Sequence, residues 1–234
     1  MFYFDYTYVI FIIPCVIISL ICQIRVKSAF SKNSQIPNSR SMTGAQAAEY
    51  VLRHNGVTGV RIERVSGSLT DHYDPRTNVI RLSESVYDNT SVAAVGVAAH
   101  EAGHAVQTAQ NYLPNKIRSA ILPAARLGSS VSWILIILGF LFAYRASGDF
   151  GRILLYSGII LFAASVLFTV ATLPVEFNAS HRALQCIRET NLLPDNEYKG
   201  AKSVLSAAAM TYVAAALTAI MQLIRLLVLA RRRD

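Results

Sequence analysis

The 234-residue sequence predicts an α+β membrane protein, mostly α-helical, with three to four transmembrane helices and a small domain containing a short antiparallel sheet. Three observations lead there. Residues 6–24, 127–144 and 153–173 are apolar runs without a charged side chain, and 204–230 is a fourth, Ala-rich run interrupted by Gln222 and Arg225. A helix of about 20 such residues crosses a hydrocarbon core of about 30 Å. The composition agrees, with 53% hydrophobic and 15% charged residues and a mean hydropathy of +0.38. Finally, the polar stretch between the first two runs carries alternating, turn-punctuated segments that read as short strands.

The net charge of +8 does not mark a nucleic-acid binder, because Lys and Arg flank the apolar runs instead of gathering with aromatics on one face. Of the three cysteines, Cys15 and Cys22 lie inside the first run and Cys186 stands alone. Neither a disulfide framework nor a cysteine-type metal site is available.

In order, residues 1–24 form a first transmembrane helix, with Asp5 before it and Arg25, Lys27 and Lys32 after it. A secretory signal carries its positive charges in front, so this run reads as an uncleaved anchor with its N-terminus outside. A small domain occupies 25–122, entered through the polar linker 31–41. Thr43 and Gln46 have capping-box spacing and start a helix over 44–54 that Asn55-Gly56 ends. Val60-Arg-Ile62-Glu reads as a strand, 74–78 as a turn, and Val79-Ile-Arg-Leu82 as a strand, together making the expected antiparallel sheet. A helix over 91–109, capped by Thr90 or Ser91, runs up to the interruption around Pro114.

Residues 123–173 form a transmembrane hairpin, turning at a loop that holds Arg145, Gly148, Asp149 and Arg152. Residues 174–202 return to the side where the hairpin began, with Pro174 starting a helix. The last membrane helix, 203–234, ends in Arg231-Arg-Arg233, and its direction is ambiguous. Lys and Arg near the first three spans favour a cytoplasmic location for 25–122. They are Arg25, Lys27, Lys32, Arg40, Lys116, Arg118, Arg126, Arg182 and Arg188 against Arg145 and Arg152. A fourth full crossing then puts three Arg outside, unless that helix bends or lies in the interface.

The chemistry concentrates in the helix over 91–109, which contains His100-Glu101-x-x-His104. At i and i+4 the two imidazoles share one helix face and can both reach one Zn²⁺, with Glu101 beside the ion. The rest of the helix is Ala, Val and Gly, a buried composition, and buried His and Glu need partners that offset their desolvation. This is the pattern of a zincin, so 25–122 is expected to be a zincin-like domain. A catalytic zinc needs a third protein ligand. Glu176, directly after the hairpin, is the leading candidate, with His181 and the cluster Asp71, His72 and Asp74 as alternatives.

Thr43-Gly-Ala-Gln46, 69–76 (Leu-Thr-Asp-His-Tyr-Asp-Pro-Arg), Ala99-His-Glu-Ala-Gly-His104, 174–180 (Pro-Val-Glu-Phe-Asn-Ala-Ser) and the Ala-rich segment from Met210 together resemble the YugP-like membrane zinc metallopeptidases. More distantly they resemble the HtpX-type and CAAX prenyl protease gluzincins, in which the glutamate of a Glu-x-x-x-Asp motif completes the zinc site. That resemblance implies Glu176 as the third ligand; the aspartate position is Ser180, a departure from the pattern.

The expected activity is membrane-integrated zinc peptidase chemistry, with Glu101 as general base for a zinc-activated water. Val79, Ile80 and Arg81 are candidates for a substrate-pairing sheet edge, and His72 or Tyr73 for a hydrogen bond to the oxyanion. Gln107 reads as polar packing. Peptides or membrane proteins are the expected substrates and the lipid bilayer a partner, in a bacterial-type plasma membrane with the site on the cytoplasmic side. The competing reading is a catalytically silent zinc-binding scaffold or chaperone, against which Glu101 speaks. No sequence signal bears on oligomeric state.

Overall fold

The apolar runs become long helices. The computed structural model describes residues 6–145 and 149–231. The flanking Asp5, Gly148, Arg232 and Arg233 lie outside them. The elements are α1 (Tyr6–Phe11), α2 (Ile13–Ser34), α3 (Gly44–His54), β1 (Arg61–Val65), β2 (His72–Asp74), β3 (Val79–Ser83), α4 (Val92–Ala109), α5 (Leu113–Arg145), α6 (Asp149–Glu189) and α7 (Asp195–Arg231). Among the described residues, four helical stretches are long and apolar enough to cross a membrane: Tyr6–Ser34, Leu113–Phe142, Asp149–Glu189 and Asp195–Arg231. Contacts divide the chain into a first unit of 1–21, 116–173 and 212–234 and a second of 22–115 and 174–211.

In the first unit, α5 and α6 pack with close backbone approach. A Cβ on Gly128 would stand 2.3 Å from the Leu161 carbonyl oxygen, and one on Gly139 would stand 2.5 Å from the Leu155 nitrogen. Small residues permit this approach, and lipid-facing helices depend on it because burying Leu among lipid tails gains nothing. Ser165 Oγ donates to Ala125 O across the pair at 3.0 Å. The last helix has a definite orientation relative to the first two elements. Thr218 lies 3.4 Å from Ser19 (Oγ1 to Oγ), and Arg225 Nε donates to Thr7 Oγ1 at 3.2 Å. As α7 advances, its partners move back along α2 and α1, so it runs antiparallel to them. Leu226 and Ala230 belong to one core cluster with Ile136, Leu155 and Ile159.

The second unit carries the sheet and the helix α4. The capping box of α3 forms as the spacing predicts: Thr43 N–H donates to Gln46 Oε1 at 2.9 Å and Gln46 N–H to Thr43 Oγ1 at 3.2 Å. The polar linker, however, is a pinned strap. Asn38 is 3% exposed and donates to Met42 O at 2.8 Å, and Ser39 N–H donates to the buried Glu197 carboxylate at 3.0 Å.

The sheet departs from an all-antiparallel arrangement. Its order is β1-β3-β2, with β2 antiparallel to β3 but β1 parallel to it. Burial sets the strand order. Val79, Ile80 and Leu82 are each 0% exposed, so β3 must take the centre, while the charged β1 and the three-residue β2 take the edges.

Pro174 does not start a helix. It lies inside α6, which continues through it for 41 residues, about 60 Å at about 1.5 Å per residue. A proline costs a helix one hydrogen bond, a loss tolerated where flanking turns and neighbouring helices hold the backbone.

The core of this unit gathers Val92, Val95, Ala98, Ala99 and Ala102 of α4 with Ala183 and Ile187 of α6 and Ala201 of α7. Glycines set the spacing. A Cβ on Gly96 would lie 3.2 Å from Ala201 Cβ, and one on Gly103 would lie 2.6 Å from the backbone oxygen of Ala179. Backbone cannot rotate away as a side chain does. Gly103→Ala is therefore expected to push α4 from α6 and cost about 1–3 kcal/mol, read as a fall in the thermal unfolding midpoint in detergent; an unchanged midpoint would contradict this packing.

Candidate metal centre

Ser91 caps α4, its side chain accepting from Ala94 N–H at 3.2 Å, and the helical repeat then places His100 and His104 on one face. Their rings meet edge to face with centroids 4.7 Å apart. Across from them, on α6, Glu176 is 4% exposed. Its Oε2 lies 3.4 Å from His100 Nε2 and 3.5 Å from His104 Nε2. One ligand atom from each of the three residues lies within 4.8 Å of the others. Donors around a tetrahedral ion at about 2.0–2.1 Å stand about 3.3–3.4 Å apart, so the spacing fits a zinc-sized cation.

A second observation points the same way. Glu176 Oε2 is buried and receives no hydrogen bond. Leaving a buried acceptor without a donor costs about 1–3 kcal/mol, and more when it is charged. A cation among the three donors removes that cost, and two imidazoles with a carboxylate are a donor set that zinc accepts. The electrostatics of His104 are consistent. Burial opposes its imidazolium, but the Glu176 carboxylate beside it and the charge of Glu101 outweigh burial and raise its pKa above the usual 6.5. Protons and a metal ion therefore compete for the same nitrogen.

The far nitrogens of both rings are held. Ser180 Oγ lies 3.0 Å from His100 Nδ1, and Gln107 Oε1 lies 3.1 Å from His104 Nδ1. Gln107 is itself 0% exposed. Its Nε2 donates to Val175 O at 2.8 Å and to Asn178 Oδ1 at 3.0 Å. Arg182 Nε donates to the same Asn178 oxygen at 2.7 Å.

The structure brings together His100, His104 and Glu176, with Glu101 next to them on α4. Glu101 is 7% exposed and makes no hydrogen bond with the described residues. The alternative ligands are engaged elsewhere or turned outward. Asp71 accepts from Ser83 N–H at 2.7 Å, and burial pushes its pKa up. Asp74 accepts from Arg76 N–H and Thr77 Oγ1, which hold its pKa down. His181 is exposed.

Among the candidate substrate contacts, His72 Nδ1 lies 2.9 Å from Thr70 O, and Tyr73 Oη donates to Asn78 Oδ1 at 2.8 Å. Val79, Ile80 and Arg81 do not form a free edge. Both sides of β3 are paired, Val79 and Ile80 are fully buried, and Arg81 forms ion pairs with Glu63 and Asp74. The sheet edge that packs on α4 is β2.

Sequence reasoning undervalued Gln107, Asn178, Ser180 and Arg182. The available signal was spacing, since Gln107 follows His104 by one helical turn and Asn178 precedes Arg182 by one.

The model of one protein family, described as "Putative neutral zinc metallopeptidase", matches residues 8–231. The chain belongs to this family. It is also 46% identical over 208 residues to the "Putative membrane protease YugP" of Bacillus subtilis (strain 168), an alignment that covers 89% of each chain. No solved structure matches it. Zinc is the metal that this family's description names, and it suits the two imidazoles and the buried carboxylate described above.

Glu176→Gln replaces a carboxylate ligand by a neutral amide. Zn²⁺ affinity, measured by competition with a chromophoric chelator, is expected to fall by more than the about 10- to 100-fold typical of losing an outer partner of a ligand. Unchanged stoichiometry and affinity would move the third ligand to another residue, such as His181 or Asp74.

Proposed function

We propose that this protein is an integral membrane zinc endopeptidase in which His100, His104 and Glu176 hold the metal and Glu101 is the general base. The observation that carries the reading is the buried Glu176 oxygen, which lacks a hydrogen-bond donor yet faces two imidazole nitrogens at 3.4 and 3.5 Å. When bound there, Zn²⁺ supplies a Lewis acid that polarises a peptide carbonyl and lowers the pKa of a coordinated water toward about 7.

The protein's own residues supply the rest. Glu101 follows His100 on the same helix, and its carboxylate has no competing hydrogen bond among the described residues. It accepts a proton from the attacking water and passes it to the departing amide nitrogen, so one carboxylate serves both halves of the hydrolysis. Strand β2 is the sheet edge against α4, and an extended substrate pairs there through main-chain hydrogen bonds.

The substrates are membrane proteins or their tails. Four apolar helices and the similarity to a relative named as a membrane protease support a bilayer setting. The Lys and Arg bias around the first three spans supports a site on the cytoplasmic side of a bacterial-type plasma membrane. A silent zinc-binding scaffold is the alternative, but binding alone gives no use to a buried carboxylate at the position of Glu101.

Glu101→Gln separates the two. Zinc stoichiometry is expected to stay at the wild-type level while hydrolysis falls about 100-fold or more, the range of a lost general base. Quantitative membrane proteomics of cells carrying the variant should show substrates that accumulate relative to wild type. Full hydrolytic activity in purified Glu101→Gln protein would remove Glu101 from this role.

A further inference from the structure

Which nitrogen of His104 carries its proton is dictated by groups whose hydrogen-bonding roles cannot be reversed. Val175 O is a main-chain carbonyl and only accepts; the Arg182 guanidinium only donates. Arg182 Nε at 2.7 Å obliges Asn178 to present its oxygen. Gln107 faces that oxygen at 3.0 Å and Val175 O at 2.8 Å, so both contacts demand its NH₂ group. Its remaining atom, Oε1, is an acceptor and lies 3.1 Å from His104 Nδ1. Nδ1 must then hold a hydrogen, so Nε2, the nitrogen 3.5 Å from Glu176, is the only ring nitrogen that can offer a lone pair to a metal. This deduction does not depend on how the amide atoms are assigned, because it starts from a carbonyl and a guanidinium.

His100 has no such constraint. Its Nδ1 faces a hydroxyl, Ser180 Oγ at 3.0 Å, and a hydroxyl can donate or accept.

We infer that Gln107 is a positioning residue that keeps the hydrogen of His104 on Nδ1 and reserves Nε2 for the metal, and that Asn178 and Arg182 hold Gln107 in the orientation this requires. The inference rests on the metal-site reading above. It deepens that reading by giving the two imidazoles unequal roles: His104 is fixed in advance, whereas His100 adapts. A fixed ligand saves the selection of a tautomer at the moment of binding, and outer partners of ligating histidines are worth about 10- to 100-fold in metal affinity.

Two substitutions in the purified full-length protein test this. Gln107→Leu removes the acceptor at Nδ1 and both donors. Gln107→Glu keeps a strong acceptor for His104 Nδ1–H but places oxygen against Val175 O and Asn178 Oδ1, which destabilises the fold. Histidine ¹⁵N shifts of the metal-free protein, followed to a pH at which His104 is neutral, report the tautomer, a zinc-chelator competition reports affinity, and thermal unfolding reports stability.

The expected result is that Gln107→Leu yields mixed His104 tautomers and about 10- to 100-fold weaker zinc binding. Gln107→Glu should retain the Nδ1–H tautomer and near wild-type affinity despite a lower unfolding midpoint. If affinity in the two variants instead falls in step with the midpoint, or if His104 keeps its tautomer in Gln107→Leu, Gln107 is a structural residue and the inference is overturned. Should wild-type protein bind no zinc, the metal-site reading fails separately, while the ¹⁵N measurement still decides the tautomer.

Discussion

The approach of α4 to α6 at Gly103 and Ala179 is the constraint on which the candidate site depends. A Cβ at Gly103 would fall 2.6 Å from the Ala179 carbonyl oxygen, so the two backbones approach more closely than any side chain there would permit. Gly103 lies between His100 and His104 in the chain, and Ala179 lies about one turn beyond Glu176. The contact therefore occurs at the level of the three donors. It brings short side chains from two helices to a common point, where a larger residue would hold them apart.

Such proximity has an electrostatic consequence. Two imidazoles and a carboxylate are removed from water together, and the carboxylate oxygen facing the rings has no donor. An apolar core gains nothing from this arrangement, and buried polar groups without partners are uncommon in native proteins. Ser180 and Gln107 hold the outer ring nitrogens, and Asn178 and Val175 hold Gln107. The orphaned Glu176 oxygen faces the two inner ring nitrogens, where a positive ion resolves it.

The first unit obeys a different rule. Its helices are long apolar stretches suited to a bilayer, where association relies on close packing and on a few polar contacts. Glycines at 128, 139 and 158 admit the neighbouring backbone, and Ser165, Thr218 and Arg225 link helices through hydroxyl or guanidinium contacts. Arg225 is the one strongly charged interruption of the last apolar run, and it meets Thr7 and the ring of Tyr8, with its centroid 5.2 Å away, rather than an open face.

Features set by neighbours in the chain were legible in the sequence. The i, i+4 spacing of His100 and His104, the Thr43–Gln46 capping box and the four apolar stretches follow from helix periodicity and side-chain chemistry over a few turns. The place of Glu176 after the second of the paired apolar runs, together with the family resemblance, favours it as third ligand, but residue types alone leave His181 and the Asp71–Asp74 cluster in competition. Tertiary structure decided what depends on residues distant in sequence. Burial of Val79, Ile80 and Leu82 put β3 at the centre, and the parallel pairing of β1 with it makes the sheet mixed where an antiparallel one was expected. Packing around α6 carried the helix through Pro174, overriding a local preference worth only a few kcal/mol. The role of Gln107 appears only when Val175, Asn178 and Arg182 come within reach, because a hydrogen bond takes its direction from partners in space that no spacing along the chain specifies.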